Sequence, residues 1–301
     1  MLASMLRRGA LVAALLLTSH EAQAFCRSST CRGADCERDE NNCPVLGDGI
    51  YPLYWPTSCV GYSLQQKLTE KLDPEKVRAI IQKSFDAWTN VKCPGGGTSL
   101  LSFRQFDDTP CNVSKYVKDG PNINVILFQD DDFPYRDEDN TLGKTTVTYD
   151  KNTGAILDAD IEINSAFNEV TVSDKRVVYD LESIMTHELG HFIGLAHSTV
   201  DGSTMFYAYN PGETSLRDLS DDDIAAVCTV YPPDSEASCS PEPHGGLDTC
   251  PPEEDSGCAA AVRRPGASAS GVMLGGLGLA LLARARQSRR RRRERSLLVR
   301  S

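Results

Sequence analysis

The sequence predicts an α+β fold, and three observations carry that prediction. Apolar side chains recur at helical spacing between residues 74 and 88. Residues 145–149 and 156–163 alternate with the period of a strand, while 123–128 is almost continuously apolar, as a buried strand is. A further helix, marked by an aspartate cap and a terminal glycine, spans 181–193.

Taken in order, Leu53, Tyr54 and Trp55 and the stretch 60–64 read as short strand material. Asp73 is a suitable N-cap and Pro74 fits the first helical position. Val77, Ile80, Ile81, Phe85 and Trp88 then form one apolar face that should pack on a sheet. Three glycines at 95–97 break the chain before a strand over 100–106, and another follows at 123–128 before the acidic loop Asp130, Asp131, Asp132. Residues 145–149 and 156–163 flank a turn at 150–154 whose Asn152 and Gly154 favour a hairpin. On the second of these strands Asp158, Asp160 and Glu162 share one face, expected to meet solvent, with Ala159, Ile161 and Ile163 turned inward. That acidic face leaves calcium open as a ligand. The helix 181–193 is capped by Asp180 and stopped by Gly194. A last helix follows Leu219, with Ser220 and Asp223 spaced for a capping box and Ile224, Val227, Val230 and Tyr231 on its apolar face.

Residues 187–197 read His-Glu-Leu-Gly-His-Phe-Ile-Gly-Leu-Ala-His, so three of the five histidines fall within eleven positions. On a helix His187 and His191 project from one face, one turn apart, as two imidazole ligands to one ion. Gly194 can take the positive φ that reverses the chain and brings His197 back as a third ligand. Three protein ligands leave the fourth position of a zinc ion open for a water that the metal acidifies, and Glu188 is placed to take its proton. Three histidines merely packed in a core would ask the interior to satisfy six clustered ring nitrogens, which is much the weaker reading.

The ends and the cysteines bear on location. Residues 1–24 carry Arg7 and Arg8, an apolar run and Ala22-Gln23-Ala24, the pattern of a cleaved signal peptide. Eleven cysteines follow, too many for a reduced cytoplasmic protein, so disulfides and export are expected, with the pairing left open. Four of them crowd a Cys-rich segment at 25–44 that has little core of its own. The odd thiol is assigned to Cys258. The globular body is placed at 45–232, ending at Pro232 and Pro233. A Pro/Glu/Ser-rich linker follows at 233–257, and a tail at 258–301 joins Cys258, an apolar span and an Arg cluster. That span is at the short limit for crossing a membrane, which makes the tail the expected membrane contact. Residues 25–257 hold 18 Lys and Arg against 40 Asp and Glu, a net of −22, which disfavours nucleic acid as a partner and suits calcium, an extracellular life or cationic polypeptides. Oligomeric state has no signature here.

The eleven-residue motif, with Ser198 directly after it, Met205 soon after and Asp222 and Asp223 opening the last helix, resembles the metzincin metalloproteases, and among them the matrixins. The resemblance implies a twisted mixed sheet over an active-site helix, with a backing helix and a C-terminal helix. It implies one catalytic Zn2+ on His187, His191 and His197, Glu188 as general base, Met205 as the floor beneath the metal, and Asp222 and Asp223 bracing the last helix against that turn or the amino terminus. The expected function is therefore zinc-dependent endopeptidase action on polypeptides outside the cell. Tyr207, two residues past Met205, has a spacing similar to astacins and serralysins, where such a tyrosine approaches the zinc; a packed tyrosine is the other reading. A zinc-containing adhesion module that cleaves nothing is the rival from another class. Two matrixin features are missing. Outside the motif and the signal segment only His244 is left for a second, structural zinc, and no Pro-Arg-Cys-Gly latency segment precedes Trp55, although Cys26, Cys31, Cys36 and Cys43 keep cysteine latency open. The arrangement from Cys258 onward resembles the carboxy-terminal sorting tails of myxobacterial surface proteins.

Overall fold

The computed structural model describes residues 25–33, 35–135, 141–250 and 297–298. The signal segment and almost all of the tail, with Cys258 and its apolar span, lie outside the described residues. Among the described residues no helix is long and apolar enough to cross a membrane.

Five strands build the main sheet in the order β2-β1-β3-β5-β4. β1 (Cys59–Leu64) lies parallel to both β2 (Ser102–Gln105) and β3 (Val125–Gln129), and β3 lies parallel to β5 (Ile156–Asn164). β4 (Gly143–Tyr149) pairs antiparallel with β5 through the expected hairpin and forms one edge of this mixed sheet. Leu53, Tyr54 and Trp55 do not form a strand. Tyr54 makes a single bridge to Ala155, and Trp55 instead points its indole Nε1 at the Phe192 carbonyl, 2.8 Å away.

Helix α1 (Pro74–Trp88) starts where its cap dictates: the Asp73 carboxylate accepts from the Glu75 and Lys76 amides. Its apolar face is buried, with Phe85 stacked on Tyr62 of β1 at 3.9 Å between ring centroids. Trp88 donates from Nε1 to the Thr186 carbonyl at 2.8 Å, which fixes α1 against α2 (Leu181–Phe192). Every residue of α2 is buried. Its last carbonyls are met from outside the helix, that of Phe192 by Trp55 and that of Ile193 by the Tyr231 hydroxyl at 2.9 Å. The capping box of α3 (Asp221–Val230) forms as expected between Ser220 and Asp223.

Two expectations are corrected. The Asp158, Asp160 and Glu162 face of β5 does not meet solvent: all three are at most 2% exposed. The chain between β2 and β3 covers that face, and the Lys115 and Val125 amides donate to Asp160 at 3.0 and 2.9 Å. Glu162 accepts from Gln129 Nε2 and the Tyr135 hydroxyl. Protein donors thus meet Asp160 and Glu162 inside a sheet that is buried on both faces, where the alternation of the strand had suggested a solvent-facing side. The Pro-rich segment after residue 232 likewise differs from a free linker. Cys239 is joined to Cys59 and Cys250 to Cys111, Leu247 bridges Asn122, and Asn122 Nδ2 donates to the His244 carbonyl. Composition hid this because two disulfides and a few backbone bonds, not an apolar face, hold the segment down.

Candidate metal centre

The site begins with the reversal after α2. Gly194 adopts φ +92° and packs so closely on Leu53 that a Cβ would stand 2.6 Å from its carbonyl oxygen. The turn brings His197 to His187 and His191, with the ligand-capable atoms of the three rings all within 4.8 Å of one another. Among the described residues this is the one such group of His, Cys, Asp and Glu.

Hydrogen bonds set the tautomers of the two helical rings. His187 Nδ1 lies 2.7 Å from the Thr204 carbonyl and His191 Nδ1 lies 2.9 Å from that of Leu195. A carbonyl only accepts, so each Nδ1 carries the proton and each Nε2 keeps its lone pair. Those two Nε2 atoms face each other at 3.1 Å. Lone pairs at that distance repel, whereas two ligands on a tetrahedral zinc at about 2.0–2.1 Å stand about 3.3 Å apart. The donor set therefore fits a zinc ion between the rings. Burial, with the neighbouring His197, lowers His187 to about 3 and drives His191 well below the ordinary histidine value, so both imidazoles are neutral and able to ligate.

Glu188 is fully buried beside the ligands. Thr145 on edge strand β4 donates from Oγ1 to its Oε2 at 2.6 Å, while Oε1 has no hydrogen-bond partner. Burial pushes this carboxyl up to about 8 against the opposing pull of Thr145 and Lys144. A cation held by the neighbouring imidazoles would pull this carboxyl back toward its ionised form, and its unpartnered oxygen could then accept a proton.

Beneath the helix, Met205 is 2% exposed and so close to Gly190 that a Cβ there would stand 2.1 Å from its sulfur. The turn carrying Met205 is held from α3. Asp223 accepts from the Thr204 and Met205 amides at 2.7 and 3.1 Å, and Asp222 accepts from Ser198 Oγ at 2.7 Å. Asp223 thus holds the turn directly, and Asp222 holds Ser198, whose amide donates to the Met205 carbonyl at 2.7 Å. Tyr207 is 45% exposed, on the wall of the cleft that includes His191 and His197.

A profile of known families places residues 54–232 in one of them, described as Matrixin. The chain belongs to the matrixin family. It is similar to Metalloendoproteinase 1-MMP of Arabidopsis thaliana, 27% identical over 208 residues that make up 67% of this chain and 49% of that protein. Matrix metalloproteinase-16 of Mus musculus is 29% identical over 184 residues, 60% of this chain and 28% of that protein. Neutrophil collagenase of Homo sapiens is 23% identical over 177 residues, 59% and 33% of the two chains. The chain spans less than half the length of these relatives.

Against the matrixin motif, three contributions to the site had no sequence signal. Thr145 is one threonine among several on a strand. The carbonyls of Thr204 and Leu195 act through the backbone, which any residue supplies. The third is the Cys-rich arm at 25–44, held by disulfides Cys26–Cys43 and Cys31–Cys36. It runs beside residues 194–196: the Ser28 amide donates to the Gly194 carbonyl at 3.0 Å, the Ala196 amide to the Cys26 carbonyl at 2.9 Å, and Ser28 Oγ to the Leu195 carbonyl at 2.9 Å. These disulfides occupy all four cysteines that cysteine latency would have drawn on.

Proposed function

We propose that the protein is a zinc-dependent endopeptidase acting on polypeptide chains, with His187, His191 and His197 as the metal ligands. The observation that carries this reading is the pairing of a facing imidazole cluster with a buried glutamate whose one oxygen is held by Thr145 and whose other oxygen is free. A zinc ion held by the three rings supplies Lewis acidity, lowering the pKa of a water and polarising a carbonyl. Glu188 takes the water's proton at Oε1 and returns it to the departing amine, while Thr145 keeps the carboxylate from rotating away. The exposed edge of β4 offers an extended peptide its backbone donors and acceptors. Tyr207 on the cleft wall is the further candidate to meet the developing oxyanion, as its spacing from Met205 suggested.

Five disulfides suit an oxidising setting, and with the signal-like segment and the tail they support an exported protein retained at or released from the cell surface. The deciding experiment is E188A: the variant should bind zinc as the parent does and lose nearly all casein hydrolysis. Equal turnover in parent and variant would sink the mechanism. A zinc-loaded parent that binds unfolded protein and cuts none would favour the adhesion-module reading instead.

A further inference from the structure

The cleft over the imidazoles encloses about 860 Å³ between the disulfide-held arm and edge strand β4. Its charged lining side chains are Arg32, Arg38 and Lys144, and no aspartate or glutamate among the described residues shares that lining. This sign is opposite to that of the body, whose residues 25–257 carry a net charge of −22. The arm's own acids, Asp35, Glu37, Asp39 and Glu40, do not line the cleft.

Among the described residues neither arginine is paired with a carboxylate. Arg32 donates from Nε to the Tyr149 hydroxyl at 2.7 Å and from Nη2 to the Val147 carbonyl at 3.4 Å; Arg38 donates from Nη1 to the Asn42 carbonyl at 2.7 Å. Both guanidinium groups keep donors to spare. Lys144 differs, because Glu162 and Glu188 already act on its charge.

We propose that this cleft selects polypeptides with acidic side chains beside the bond to be cut, and that Arg32 and Arg38 make the selection. The inference rests on the endopeptidase reading and adds its substrate class. Arg32 touches Val147, two residues along β4 from Thr145, which holds the base. At about 3.3 Å per residue, a side chain it recognises lies within two or three residues of the scissile bond. A planar guanidinium matches a carboxylate in two-pronged fashion, and a concave cationic wall in an anionic protein concentrates its field where the rest of the surface repels an acidic chain. A strongly acidic body alone would suggest cationic substrates; the cleft reverses that sign where it matters.

The test uses the full zinc-loaded chain, its R32Q and R38Q variants and the double variant. A peptide-library digest read by mass spectrometry gives the cut sites, and fluorescence anisotropy compares labelled peptides that differ only in Glu against Gln. The parent should enrich Asp or Glu within three residues of the cut and bind the Glu peptide more tightly. Each arginine removed should cost roughly two- to fivefold in affinity, appearing in KM rather than kcat and fading at high salt. Cut sites without acidic enrichment, or a double variant that keeps the preference, would overturn the proposal and leave the endopeptidase standing. A chain that cuts nothing defeats the endopeptidase reading, and equal affinity for the two peptides then ends the proposal on binding alone.

Discussion

Thr145 Oγ1 stands 2.6 Å from Glu188 Oε2 and 3.1 Å from the Glu188 carbonyl, and its single proton goes to the nearer carboxyl oxygen, tying the Glu188 side chain to edge strand β4. Val has the shape of Thr without the hydroxyl. T145V should therefore keep the fold and the zinc content while lowering kcat about 10- to 100-fold, the usual cost of losing a partner that orients a site group. Steady-state kinetics with metal analysis of the same sample checks this, and unchanged kcat would mean that Glu188 needs no such partner.

Removing the metal should cost more than activity. Without a cation the His187 and His191 lone pairs face each other at 3.1 Å inside a buried helix. Phenanthroline treatment should abolish hydrolysis and lower the Tm, and one equivalent of zinc should restore both, since a ligand bound only by the native state stabilises it. An apoprotein melting at the parent's Tm would contradict the site.

Helix propensity and packing oppose each other at Gly190. Alanine would gain about 1 kcal/mol of helix propensity, but its Cβ would stand 2.1 Å from Met205 Sδ. Overpacking costs about 1–3 kcal/mol, so G190A should be destabilised on balance, and M205A in the same chain should relieve part of the loss. Denaturant unfolding of G190A, M205A and the double variant measures the coupling.

Asp158 supplies a pH prediction. Burial, reinforced by its neighbour Asp160, raises its carboxyl, and one oxygen has no hydrogen-bond partner. A carboxyl raised in the folded state binds more protons there than when unfolded, so its contribution to stability falls as the pH rises above about 4, the ordinary aspartate value. D158N should raise stability by about 1–2 kcal/mol at pH 8 and by little at pH 4. Thermal melts across that range that show no pH-dependent gap between parent and variant would refute it.

The helices and the histidine cluster were legible because each is written in side chains at fixed spacing: Asp73 before Pro74, Ser220 before Asp223, three histidines around Gly194. The acidic face of β5 misled because alternation shows which residues share a face, not what covers it. Here the cover comes from the chain around Lys115, more than forty residues away. The pinned segment at 239–250 was hidden for a related reason. A disulfide partner such as Cys59 for Cys239, 180 residues distant, leaves no local pattern. The cleft's cationic lining escaped notice because Arg32 and Arg38 sit among four acids in sequence, and only the folded arm separates them.

Leu195 offers one carbonyl to two donors, His191 Nδ1 from the catalytic helix and Ser28 Oγ from the Cys-rich arm. The arm that shares this acceptor is closed by two short disulfides and pinned to the body by backbone bonds at Ser28, Thr30 and Ala196. Through Leu195 the ring orientation of His191 and the path of the segment at 25–44, whose Ser28 lies 167 residues earlier, rest on a single backbone oxygen.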